Sequence, residues 1–340
     1  MPKPKILFVY NSVPLPESRL KTFFALKELS SNIKVLFPFD ENYQRNFFDK
    51  VLSKLKIPRD PCRINTRIIE ACGAFKPDLV FIVKGVNIKS NTLKFIRTCG
   101  IKSISWTNDD MYAWHNRSLW YTLGLKYYDL VVTQKSYNCN PNELPSLGAK
   151  VFFQNKAFEP KVHYPVKACS NYSCVHDVVF VGAKEQDRLE QLLFLAENGI
   201  TIHIYGWVVK EPLPLHENLI IHDRFLFEEE FCAAFTCSKI SLNFLRKMNR
   251  DVQTSRSIEI PACKGFMLAE RTEEHSQLFE EGKEAEFFSN KEELLSKVNY
   301  YLEHDNERKK IAQAGYDRCY KSNYTFISRM EEVLKQIFND

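Results

Sequence analysis

DVVFVGAKEQDRLEQLLFLAENGITIHIYGW, residues 177–207, is the stretch that decides the fold. It opens on a short apolar run that Gly182 ends, which reads as a strand over Asp177 to Gly182. Residues 185–197 read as a helix, and Thr201 to Trp207 as a second strand. Strand, helix and strand with no tight hairpin signal between them make a βαβ unit, and repeated units of that kind build a doubly wound sheet.

The same alternation runs outward on both sides. Upstream, Lys5 to Asn11 (KILFVYN) is a continuous apolar strand, as expected where both faces of a parallel sheet are covered. Ser18 is placed to cap a helix carrying Leu20, Phe23, Phe24 and Leu29. Strands follow at Ile33–Phe39, Asp78–Gly85, Ile101–Asp110, Leu130–Gln134 and Val151–Gln154, with helices over 42–56, 63–75 and 90–99. Pro160 to His176 has no clear period and reads as a linker. Downstream of the opening stretch, strands are expected at Leu219–His222, Lys239–Leu245 and Phe266–Glu270. Helices are expected over 227–237, around Glu259, from Ser289 (with Glu292 as a capping box) to about 303, over 306–318, and over 323–338. The last places Phe326, Ile327, Met330, Val333, Leu334, Ile337 and Phe338 on one stripe. The expected organisation is a Rossmann-like domain over 1–160, a linker over 161–176, a second Rossmann-like domain over 177–322, and a helix over 323–340 returning to the first domain.

At 340 residues the chain is long for one core and natural for two domains. Hydrophobic content of 44% and charged content of 26% are those of a soluble globular protein. The net charge of +5 suits an anionic ligand and leaves room for peripheral membrane association, but it is too diffuse for a nucleic-acid partner. None of the ten cysteines forms a C-x-x-C pair, so buried free thiols in a reducing cytosol are expected instead of a zinc site. The first apolar run is too short for a signal peptide, and no stretch approaches the roughly 20 apolar residues that span a bilayer. The expected location is the cytoplasm, at most against the inner face of a membrane.

Ligands of doubly wound sheets bind beyond the carboxyl ends of the strands, so the residues just after each strand carry the weight. Asp251 and Glu259 stand eight positions apart. A carboxylate on a helix at a strand end can accept both vicinal hydroxyls of a ribose, and Glu259 is placed for that. Lys184 and Arg188 follow DVVFVG, and Arg246 and Arg256 follow the strand KISLNFL; a diphosphate needs such cations and helix N-termini. Gly182 stands where a backbone must approach a ligand closely. Gly265 is expected to take the left-handed conformation after the Glu259 helix. A helix opening near Thr272 carries Glu273, Glu274 and His275, candidates for a donor sugar hydroxyl. In the first domain Asp109 and Asp110 end the strand IKSISWTNDD, where an acid can deprotonate or orient an acceptor hydroxyl; Lys84 and His115 are further candidates there. No P-loop, no G-x-G-x-x-G and no G-x-S-x-G is present.

With these residues collected, the second domain resembles a GT-B glycosyltransferase, and more narrowly the CgeB-like (spore maturation protein) group of the family-4-type glycosyltransferases. The carrying residues are DVVFVGAKEQDR (177–188), HIYGW (203–207), SLNFLR (241–246), RSIEIPACKGFMLAER (256–271) and LFEEGKEAEFFSNKEELLSKVNYYLEHDNERKKIAQAGYDR (278–318). The likeness covers roughly 170–330. The resemblance implies two Rossmann-like domains facing across a cleft and a nucleoside-diphosphate sugar held by the second. It places Glu259 on the ribose and Asp251 at the first acid of an E-x7-E pattern. It implies no required metal or other cofactor, retention of anomeric configuration, and a polysaccharide, lipid-linked sugar or protein acceptor. Lys264 replaces a residue often Gly in the group, and Tyr10-Asn11-Ser12-Val13-Pro14 stands where family-4 enzymes carry a Gly-rich loop. A nucleotide-sugar epimerase on the same fold and a non-catalytic nucleotide-sugar-binding protein of envelope or spore assembly are the rival readings.

Overall fold

The computed structural model describes residues 3–10, 21–39, 43–44, 46–207 and 216–339. Ser18 and the run Asn11–Pro14 lie outside the described residues. Two compact units emerge: residues 1–155 with 326–340, and residues 156–325.

In the first unit the elements are β1 (Lys5–Val9), α1 (Lys21–Leu29), β2 (Asn32–Leu36), α2 (Phe47–Lys54), α3 (Ile64–Phe75), β3 (Leu79–Val83), α4 (Ser90–Thr98), β4 (Lys102–Thr107), α5 (Leu119–Gly124), β5 (Leu130–Thr133) and β6 (Val151–Phe153). The strands form one parallel sheet in the order β2-β1-β3-β4-β5-β6. Both faces are covered. Leu7, Val80 and Ile82 face one apolar cluster, while Ile6, Phe8 and Phe81 face another. This two-sided burial is why these strands read as unbroken apolar runs.

The second unit contains β7 (Val178–Val181), α6 (Gln186–Glu197), β8 (Ile202–Tyr205), β9 (Leu219–Ile221), α7 (Glu228–Thr236), β10 (Ile240–Asn243), α8 (Arg256–Ala262), β11 (Met267–Glu270), α9 (Glu273–Leu278), β12 (Glu286–Phe288), α10 (Lys291–Glu303) and α11 (Asp305–Lys321). Its sheet is again parallel, in the order β12-β11-β10-β7-β8-β9. Counted within the unit, that is the doubly wound order 3-2-1-4-5-6, whose direction of winding reverses between β7 and β10. The chain then returns to the first unit as α12 (Phe326–Phe338), which packs beside α1. Met330, Val333 and Ile337 of α12 are buried against Phe8, Phe23 and Leu26.

Several sequence expectations shift. β12 was not anticipated, because EFF is short and follows a charged run. The N-cap of α10 is Asn290, whose side chain accepts from the Glu293 N–H; Ser289 instead accepts from Arg271 Nη1 at 2.5 Å. Cys169 and Cys237, 68 residues apart, are joined by a disulfide, which departs from the expectation of free thiols throughout. Residues 160–176, although without regular period, pack against the second unit, with Val166 and Cys174 buried in the cluster that also holds Phe235 and Ile258. No described helix is long and apolar enough to cross a membrane.

The turn after α8 is the clearest conformational correction. Lys264, not Gly265, takes the left-handed backbone, with φ of 59°. Gly265 is needed for space: a Cβ there would lie 2.8 Å from the Phe235 carbonyl oxygen. Close approach of α7 to β11, and not backbone handedness, explains that glycine.

Met330→Ala is expected to cost about 2–5 kcal/mol, because the side chain is fully buried and its cavity cannot collapse between sheet and helix. Urea unfolding followed by circular dichroism checks this; a change under about 0.5 kcal/mol, the range of a surface substitution, would remove α12 from the core.

Candidate functional site

The winding reversal of the second unit brings the loop after β7 beside the loop after β10. On the other side of β7, Gly182 meets Gly206 in the turn after β8: the Gly182 N–H donates to Tyr205 O at 3.0 Å, and a Cβ on Gly206 would lie 2.9 Å from Gly182 O. A Cβ on Gly182 would meet the Phe180 ring at 2.7 Å. Both glycines are therefore needed for the close packing of the β7 and β8 ends.

Arg188 ties the two loops together. It is 4% exposed, and its guanidinium donates to Ala183 O at 2.8 Å, Phe244 O at 2.8 Å and Leu245 O at 3.2 Å. Three carbonyls that the sheet leaves unpaired are thereby satisfied. Burial pulls the Arg188 pKa down from its ordinary value, with Glu185 opposing. Its donors are engaged by backbone, so Arg188 shapes the site floor instead of standing free for a phosphate.

The other cations divide by partner. Arg246 Nε meets Glu185 Oε1 at 2.7 Å, and Lys247 meets Asp187 at 2.9 Å. Arg256 donates from Nε to Val181 O at 2.9 Å and from Nη1 to Glu259, and its guanidinium lies 4.6 Å from the Phe231 ring centre. Lys184 is exposed and forms no ion pair among the described residues. Its ammonium is the cation of this loop that is open to an anion.

Glu259 is buried, as a Glu on a largely apolar helix is expected to be only with a partner. Arg256 is one partner, and His163 is another, with its Nε2 3.4 Å from Glu259 Oε1. The Glu159 N–H donates to His163 Nδ1 at 2.9 Å, which leaves the ring proton on Nε2, facing the carboxylate. Asp251 is nearly buried in the same loop, and its N–H donates to Arg246 O at 3.1 Å.

Beneath this loop lies a polar network that sequence reading missed. Asn243, the last residue of β10, donates to Ser257 Oγ at 3.1 Å and accepts from Thr254 Oγ1 at 2.9 Å. Ser257 Oγ also accepts from the Thr254 N–H at 3.0 Å and lies 2.7 Å from His275 Nε2. His275 Nδ1 is 2.7 Å from Glu270 O, so Nδ1 carries the proton and Nε2 accepts from Ser257. His275 is fully buried, and burial pulls its pKa down to about 4. It is a neutral strut, not an exposed sugar ligand. Glu274 accepts from Gln253 Nε2, which fixes the same loop from another side. The signal for this network was an Asn ending an apolar strand, with Ser and Thr in the turn that follows.

A cavity of about 700 Å³ opens at the carboxyl ends of β10, β11 and β12, lined by Asp187, Lys247, Glu270, Arg271 and Lys291. It adjoins the reversal point, and Lys184, Asp251 and Glu259 are not in its wall.

In the first unit, Lys84 Nζ and Asp109 Oδ2 are 2.6 Å apart and both are part-exposed. Asp110 is fully buried; its Oδ1 accepts from the Tyr112 and Ala113 N–H groups at 3.2 Å and from Asn138 Nδ2 at 2.9 Å. Asp110 holds the turn, so of the pair only Asp109 presents its carboxylate to solvent. His115 is exposed at the edge of that turn.

A second cluster of titratable groups lies elsewhere on the second unit. His176, His203 and His222 bring one ring nitrogen each to within 4.8 Å of one another.

Comparison with known proteins fits this geometry. Residues 184–335 match the profile of a family described as glycosyl transferase-like. No curated protein matches the chain. Among solved structures, HepE of Anabaena in complex with UDP-glucose is similar at 12% identity and TM-score 0.64, over 99% of this chain and 100% of that one. Sucrose-phosphate synthase of Thermosynechococcus elongatus is similar at 9% identity and TM-score 0.65, over 98% and 100%. UDP-GlcNAc 2-epimerase of Neisseria meningitidis bound to UDP-GlcNAc is similar at 14% identity and TM-score 0.50, over 99% and 100%. The fold is that of the GT-B proteins: two parallel α/β units.

Two outcomes separate scaffold from surface. Arg188→Ala strands three carbonyls and is expected to destabilise by about 3 kcal/mol or more, whereas Lys184→Ala stays within about 0.5 kcal/mol; chemical denaturation of both checks it. His275 has its folded pKa near 4 against an ordinary 6.5. Between those values the unfolded chain binds a proton that the folded chain refuses, so its contribution is complete above about pH 6.5 and is lost as pH falls toward 4. The loss approaches roughly 3 kcal/mol, and His275→Gln should flatten the profile over that window relative to the parent protein.

Proposed function

We propose that the protein is a glycosyltransferase that takes its sugar from a nucleoside diphosphate held at the β7/β10 reversal of the second unit. The observation that carries this reading is the glycosyl transferase-like match over residues 184–335, which contains nearly every residue of that site. The UDP-glucose complex of HepE, on the same fold, supports a nucleotide-sugar donor.

In this reading the backbone beside Gly182 and the ammonium of Lys184 meet the diphosphate, with Arg246 exchanging its contact with Glu185 for a phosphate oxygen. Glu259 accepts the ribose hydroxyls, and Asp251, Glu274 and the loop they brace orient the sugar. Arg188, Arg256 and His275 act by holding those groups in place. Departure of the nucleoside diphosphate is aided by Lys184 and the N-terminus of α6, with no metal required. Asp109 is the acid proposed to act on the acceptor hydroxyl, since Asp110 is committed to its turn. Retention of configuration, a hexosyl donor and a polysaccharide, lipid-linked or protein acceptor complete the proposal.

Calorimetry with UDP and other nucleoside diphosphates tests the donor half. Lys184→Ala is expected to weaken binding about 10- to 100-fold, the worth of a hydrogen bond to a charged group, with stability unchanged. Glu259→Gln should weaken nucleoside diphosphates and leave free pyrophosphate unaffected. Absence of binding to any nucleoside diphosphate sinks the reading. Turnover of donor alone, without an acceptor, would favour an epimerase on this fold, and tight binding with no turnover a binding protein.

A further inference from the structure

The face of the second sheet that carries Tyr205 holds a compact group of rings. His203 lies on β8, His176 just before β7 and His222 just after β9, so three adjacent strands supply one imidazole each. His203 Nδ1 and His222 Nε2 are 2.9 Å apart, a distance at which one ring nitrogen donates its proton to the other. His176 lies parallel above His203 with ring centres 3.4 Å apart, and its Nε2 is 2.8 Å from the Tyr205 hydroxyl. Asp177 is next in chain, where its charge acts on both His176 and His203, and its carboxylate is 2.8 Å from Lys239. A cavity of about 390 Å³ is lined by His176, Asp177, His203 and Lys239, so the cluster is reached from solvent.

We propose that His176, His203 and His222 form a binding site for a divalent transition metal of the zinc type, with Asp177 or water as the fourth ligand. Three imidazoles and an oxygen donor are a set that zinc accepts, at metal–nitrogen distances of about 2.0–2.1 Å. Tetrahedral geometry at that length sets ligand atoms roughly 3.3 Å apart. The three nitrogens start within 4.8 Å, so turning side chains closes the gap without moving a strand. The ring of His176, stacked on its neighbour, is the one that must swing. The Tyr205 hydroxyl then serves as outer partner, orienting His176 through Nε2 while Nδ1 faces the ion. One proton balance follows. The proton that one of these two rings donates to the other passes, by exchange with solvent, to the far nitrogen of its own ring once both facing nitrogens bind metal, so each ring stays neutral and no net proton is released. The bound ion would clamp β7, β8 and the edge strand β9 together. This inference rests on neither the donor site nor the proposed transfer, and it departs from the expectation that the chain holds no metal.

The test uses the full chain, stripped with chelator and then titrated with Zn²⁺ or Co²⁺. One equivalent of metal should bind, Co²⁺ should give the visible absorption of a four-coordinate site, and the melting temperature should rise with metal concentration. His222→Ala and His203→Gln should each weaken binding by more than the roughly 10- to 100-fold that loss of an outer partner costs. Circular dichroism in chelator confirms that each variant is folded. Failure of the parent protein to bind one equivalent, or unchanged affinity in either folded variant, overturns the site and leaves a hydrogen-bonded stack of neutral rings only.

Discussion

Arg188 is the side chain on which the loops after β7 and β10 depend. In a doubly wound sheet the chain leaves neighbouring strands in opposite senses at the reversal point, and the loops there lose their ladder partners. The carbonyls of Ala183, Phe244 and Leu245 are such groups, and one guanidinium satisfies all three. A buried charge is costly alone, but here each of three N–H directions meets an oxygen. The loops after β7 and β10 are thereby locked in one arrangement before any ligand arrives.

The rest of the site follows a similar economy. Arg256 binds the end of β7 and Glu259 together, and His163 closes the other side of that carboxylate. Asn243, Ser257 and His275 join β10, α8 and α9 through one continuous set of hydrogen bonds. Lys184 stays exposed, and Arg246 and Lys247 keep exposed side chains although each meets an acid. Loops braced in this way suit the proposed recognition of a diphosphate by a preformed site.

The fold was legible because two-sided burial writes itself into sequence. KILFVYN, DLVFIVKG and DVVFVG are unbroken apolar runs, and each forms a central strand. The charged neighbours of EFF hid β12. At the site, residue types could be read and partners could not. Arg188 and His275 were both seen as candidates, yet one spends its donors on backbone and the other is neutral inside the core. Gly265 was rightly singled out, but the left-handed turn belongs to Lys264 and the glycine serves packing against Phe235. The histidines at 176, 203 and 222 carry no local pattern that would have united them.

The sequence by itself determined the alternation of strand and helix and the parallel sheets. Those properties depend on local hydrogen bonding and on which side of each element is buried, and both leave a short-range period. The tertiary structure alone decided which charges are free, which are braced and which rings meet. Those outcomes depend on strand order, since β7 lies between β8 and β10, two strands that follow it at very different distances along the chain. No period within one element records the identity of its neighbour in space.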